Sequence, residues 1–138
     1  MEKKSPLRGK KNNMKIFARF TQLKERYYCK KANSCEMQIL GSLFTTDVGC
    51  PPELQFMELG FKPEDDYISG QAVTIDLEEN VVEIRDESDY DWETDPVFRM
   101  PIEQYRKMMS LWKDLCKIKP KEIIITWDGK EITVEGRN

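Results

Sequence analysis

Apolar and polar positions alternate over 14–20, MKIFARF, which sets Ile16, Ala18 and Phe20 on one face and Phe17 and Arg19 on the other. A period of two predicts a strand that opens a sheet. The following TQLKERYYCKKANSC is polar and basic, and reads as a short helix or a loop. In CEMQILGSLFTTDVG the pattern turns strand-like again around Met37, Ile39 and Leu43, and Gly49, Cys50, Pro51 and Pro52 then break it. PELQFMELGF starts with proline near a first helical position, although Leu54, Phe56, Met57 and Leu59 keep to neither period.

Two β-rich runs follow, AVTIDL (72–77) and VVEIR (81–85), with EEN between them, the pattern of a hairpin. Asp76, Glu78, Glu79, Glu83 and Asp86 decorate it, so one face is expected to sit in water and carry negative charge. The clearest element is PIEQYRKMMSLWKDLCKIK, about 101–119. Ile102, Tyr105, Met108, Met109, Trp112, Leu115 and Cys116 recur at steps of three and four and make one apolar stripe, while charged residues fill the other faces. Proline opens this amphipathic helix, lysines gather at its negative end, and Pro120 stops it. EIIITW and EITVEG, joined through Asp128 and Gly129, then predict a second hairpin, with Ile123 to Ile125 covered on both faces. The order implies an α+β fold: a mainly antiparallel sheet with one long amphipathic helix packed across it.

Composition agrees with one folded domain. The chain has 138 residues, 39% hydrophobic and 34% charged, enough apolar content for a core of its own under a heavily charged surface. Residues 1–13, MEKKSPLRGKKNN, read as a basic disordered tail and 14–138 as a single α+β domain; Met14 also offers a second start. No apolar run approaches the length of a membrane span, and none follows the basic start to make a signal peptide, so a cytoplasmic location is expected. In that setting Cys29, Cys35, Cys50 and Cys116 are expected to be free thiols. Their spacings hold no CxxC pair and the chain has no histidine. No metal or other cofactor is therefore expected, and the usual base of serine and cysteine nucleophiles is missing. The expectation is a protein that is not an enzyme.

Charge is segregated along the chain. Residues 1–31 carry 11 Lys+Arg against 2 Asp+Glu, residues 32–96 carry 2 against 17, and residues 97–138 carry 9 against 6. Such asymmetry bears on partners before fold. The basic start suits contact with nucleic acid or anionic lipid, but no aromatic residue interleaves it before Phe17. Nucleic-acid association through this segment, or a small enzyme without a recognisable motif, stand as the alternative readings.

The most unusual stretch is RDESDYDWETDP, residues 85–96, with six carboxylates and two large aromatics. Asp89, Asp91, Glu93 and Asp95 fall at every second position, so an extended backbone points a row of acids one way and Tyr90 and Trp92 the other. Four roles fit such a row. A solvated loop is the plainest. Calcium suits clustered carboxylates, but the glycine turn and closing glutamate of the EF-hand pattern are missing. Paired-carboxylate catalysis lacks any other motif to shape a pocket. A protein interface uses both features: negative potential guides a basic partner, and aromatic anchors supply the buried contact. The expected partner-binding residues are Asp86, Glu87, Asp89, Tyr90, Asp91, Trp92, Glu93 and Asp95.

FRMPIEQYRKMMSLWKDLCKIKPKEIIITWDGKEI carries a resemblance. Phe98, the Pro101 to Tyr105 helix opening, Trp112, then Lys119, Pro120, Glu122 and the Ile123 to Thr126 strand resemble small bacterial immunity-type proteins of polymorphic or contact-dependent toxin systems, over residues 72–134. The resemblance implies a protein that binds and neutralises a cognate toxin, commonly through an acidic surface where the toxin is a basic nuclease. It brings no catalytic residues.

Overall fold

The computed structural model of the chain describes residues 15–59, 67–86 and 96–138. The expected tail at 1–13 lies outside them. In chain order the strands are β1 (Ile16–Leu23), β2 (Arg26–Ala32), β3 (Tyr67–Ser69), β4 (Val73–Glu78), β5 (Val81–Asp86), β6 (Phe98–Pro101), β7 (Glu122–Trp127) and β8 (Ile132–Arg137). The helices are α1 (Cys35–Ser42), α2 (Leu54–Glu58) and α3 (Ile102–Ile118), and a π-helix, Leu43–Val48, continues α1. The class is α+β, as expected. The single sheet is not: among the described residues the strands form two four-stranded antiparallel sheets, β2-β1-β7-β8 and β3-β4-β5-β6.

Both predicted hairpins form. In β4–β5 Glu78 pairs with Val81, and Glu79 (φ 50°) and Asn80 (φ 72°) make the two-residue turn in the left-handed region. That turn matches the twist of the strands it joins. In β7–β8 the carboxylate of Asp128 accepts from the backbone N–H groups of Lys130 (2.8 Å) and Glu131 (2.7 Å), and Gly129 takes φ 94°. Ile123 and Ile125 are buried, while Ile124 between them is only half-buried, so β7 alternates and is not covered equally on both faces.

Two stretches depart from the expectation. TQLKERYYCKKANSC completes β1 and forms β2, because Tyr27 buries its ring and donates its hydroxyl to the Pro120 carbonyl at 2.5 Å. The turn between these strands puts Lys24 at φ 62° without a glycine or asparagine to mark it. CEMQILGS is a helix, not a strand. Ser34 caps it by accepting from Met37 N–H at 3.1 Å, and Ile39, Leu40, Leu43 and Phe44 together keep a helical step that Met37, Ile39 and Leu43 alone disguise. The Gly49–Pro52 break and the helical turn at α2 are where the sequence puts them.

Helix α3 runs over Ile102–Ile118 and buries Ile102, Tyr105, Met108, Met109, Trp112 and Cys116, nearly the whole predicted stripe. It touches β8 of one sheet and β5 and β6 of the other, and α1 likewise touches β1 and β2 as well as β5 and β6. The long helix therefore packs between two sheets rather than across one. Phe20, Phe44 and Trp112 meet edge-on or tilted, with centroids 4.3 to 5.9 Å apart, and the buried side chains of both sheets join in one cluster.

Candidate functional site

The acidic run connects β5 to β6. Ile84 pairs with Phe98 across these neighbouring antiparallel strands, so the run begins and finishes at the same end of the β5–β6 pair. Asp86, the last residue of β5, is exposed and in register with Val73 at the start of β4. Glu87, Asp89, Tyr90, Asp91, Trp92, Glu93 and Asp95 lie outside the described residues. What the structure gives is the frame that holds them, and this frame is firmly built. Asp47, buried in the π-helix, accepts backbone N–H bonds from Gln71 (2.7 Å), Ala72 (3.0 Å) and Val73 (3.0 Å). One carboxylate thus ties the π-helix to the beginning of β4, directly opposite Asp86.

The β4–β5 hairpin, expected to turn a negatively charged face to water, carries arginine on that face beside its acids. Arg85 pairs with Asp76 and, at 2.6 Å, with Glu83, and Arg99 of β6 reaches Glu83 at 2.6 Å. Period two places these groups on one face across three strands, where each acid meets an arginine. The Arg99 hydrogen bond above all, with Arg85 behind it and burial opposing, holds the Glu83 carboxyl below its ordinary value. Glu78 and Glu79 remain exposed at the turn.

The cysteines are not all free thiols. Cys50 and Cys116 form a disulfide across 66 residues, while Cys29 is half-buried and Cys35 exposed as thiols. The helical stripe turns Cys116 inward, and the Gly49–Pro52 break lays Cys50 against it; spacing along the chain shows neither. Among the described residues no three His, Cys, Asp or Glu side chains gather as metal ligands.

A groove that the sequence pattern did not reveal lies beside the free edge of β2. It is a wide-open depression of about 400 Å³, lined by Cys29, Lys30 and Lys31 of β2, by Gln38 and Ser42 of α1, and by Thr45 and Thr46 of the π-helix. Two irregularities shape it. The β1–β2 register pairs Arg19 with Lys31 and Phe20 with Cys29, so Lys30 is an extra, bulged residue. Opposite it, the helix widens to a π-helix, and Thr45 accepts from Cys29 N–H at 2.8 Å while its carbonyl accepts from Arg26 at 3.1 Å. The floor is kept open by Gly41, where a Cβ would lie 2.6 Å from the Cys29 sulfur. Burial pushes that Cys29 thiol above its ordinary pKa, so it is not the reactive thiolate of a nucleophile. Its one trace in the sequence is the adjacent pair Lys30-Lys31, which by itself does not mark a bulge.

No protein-family model matches the chain, and neither the curated proteins nor the solved structures compared with it contain a match. No helix among the described residues is long and apolar enough to cross a membrane.

Proposed function

We propose that this chain is a non-enzymatic binding module that captures a basic protein on the acidic connection between β5 and β6, neutralisation of a toxin being the concrete case. One observation carries the reading: a run of six carboxylates with Tyr90 and Trp92 among them is strung between the hydrogen-bonded strands β5 and β6, and Asp47 fixes the start of β4, which is in register with Asp86 at the end of β5. Binding residues on loops work best when a rigid scaffold positions their ends. Clustered acids speed encounter with a basic surface, and the two aromatics supply the area that charge alone does not. The resemblance to immunity-type proteins points to the same kind of partner. The Cys50–Cys116 bridge suits an oxidising compartment better than the reducing cytoplasm, so the cytoplasmic location expected from the sequence forms no part of the proposal.

The test compares the intact protein with a variant carrying Asp89→Asn, Asp91→Asn, Glu93→Gln and Asp95→Asn as bait for proteins of the native host. The expected result is one basic protein retained by the intact bait alone, which after purification binds it in a salt-sensitive way and binds the variant at least tenfold more weakly. Equal affinity for both baits sinks the assignment.

A further inference from the structure

We propose that the groove between the β2 edge and the π-helix is a binding site for a small organic phosphate. Three independent features converge there. The first is charge: Lys30 and Lys31 line the groove, Arg26 braces its wall, and no carboxylate is among the lining residues although the chain as a whole is acidic.

The second is donor chemistry. Ser42, Thr45 and Thr46, which carry hydroxyls, and Gln38, which carries an amide, are among the lining residues. The Thr45 oxygen already accepts from Cys29 N–H, which leaves its own proton to donate. Ammonium groups beside hydroxyl donors suit a phosphate, whose oxygens only accept. The third is backbone. A bulge and a π-helix are each departures from regular structure that concentrate at functional sites, and here they form opposite walls of one groove. A volume of about 400 Å³ is more than a bare phosphate ion fills and within the range of small-molecule sites, so an organic moiety is expected on the ester oxygen.

The experiment uses isotope-labelled full-length protein, titrated with phenyl phosphate at constant ionic strength and followed by the backbone amide signals. The expected result is a saturable shift confined to Cys29–Ala32 and Ser42–Thr46, with inorganic phosphate moving the same signals at higher concentration. In a Lys30→Gln, Lys31→Gln variant, whose substitutions sit at exposed positions and leave the remaining spectrum in place, affinity falls roughly tenfold, about the effect of losing one or two charge-assisted contacts. Shifts that never saturate, shifts scattered over other lysines, or equal affinity in the variant would each overturn the proposal.

Discussion

The indole N–H of Trp112 donates to the Gly49 carbonyl at 3.0 Å, joining the middle of α3 to the break that follows the π-helix. It is one of three fasteners along the same stretch. Cys116 bridges to Cys50, and the Tyr105 hydroxyl donates to the Phe56 carbonyl at 2.5 Å. Burial pushes the Tyr105 phenol far above its ordinary pKa, so it stays a donor throughout the physiological range. The apolar stripe of α3 therefore does more than fill a core: its polar tips hold an irregular segment whose carbonyls have no ladder of their own. Trp112→Phe keeps a ring in the core but leaves the Gly49 carbonyl without its donor, and is expected to cost about 2 kcal/mol, the usual penalty for an orphaned group plus lost packing. Urea unfolding checks it; a loss under about 0.5 kcal/mol would show that the bond contributes little.

The cysteine pattern predicts a thiol count. Alkylation of the denatured, unreduced protein should label Cys29 and Cys35 and leave Cys50 and Cys116 unmodified, as read by mass. In the native state Cys35 should label first, because Cys29 is half-buried and its thiol is held protonated by burial. Replacing both bridged residues by alanine is expected to cost about 3 kcal/mol, since the bridge restrains a long loop in the unfolded chain. Four labelled cysteines in the unreduced protein would refute the bridge.

Acid should weaken the β4–β5–β6 face. The folded Glu83 carboxyl lies below its unfolded value of about 4.3, so its pairing with Arg99 and Arg85 stabilises the fold above that pH and fades as pH falls through the lower folded value. Glu83→Gln removes the charge at all pH values. The two proteins should differ by about 1 kcal/mol near neutrality and converge in acid. Chemical unfolding at a series of pH values measures this directly, and a gap that stays constant on acidification would assign the effect to something other than the carboxylate's ionisation.

These relationships differ in how far the sequence discloses them. The 3.6-residue stripe of α3 and the two hairpins are local patterns, and they were legible to within a residue or two. Helix α1 and β2 were not. Met37 and Ile39 stand two apart, as in a strand, and only the burial of Leu40 and Phe44 by distant partners makes the helical face complete. β2 looks polar because one side of it is an exposed edge, and its commitment to the core rests chiefly on Tyr27. The acidic run was conspicuous as composition, yet the groove at Lys30 was hidden, since its walls come from a bulge and a π-helix that no spacing rule announces.

Asp47 joins the two halves of this picture, and its role can be isolated. Its carboxylate takes three backbone N–H groups from the Gln71–Val73 turn, and a Cβ at Gly70 would run into its oxygens. Asp47→Ala leaves those N–H groups unmet, one of them at the fully buried Val73, and is expected to cost about 3 kcal/mol. Gly70→Ala alone should also destabilise, by forcing the carboxylate away from its donors. In the Asp47→Ala background that collision has gone, so the same glycine change should cost little, and the double variant should be more stable than the sum of the single losses implies. A thermodynamic cycle over the four proteins reads the coupling; additivity within about 0.5 kcal/mol would mean that Asp47 and the turn do not act as one clamp. Because Val73 is in register with Asp86, loosening the clamp is also expected to weaken capture of a basic partner at the acidic connection without altering one of its charges.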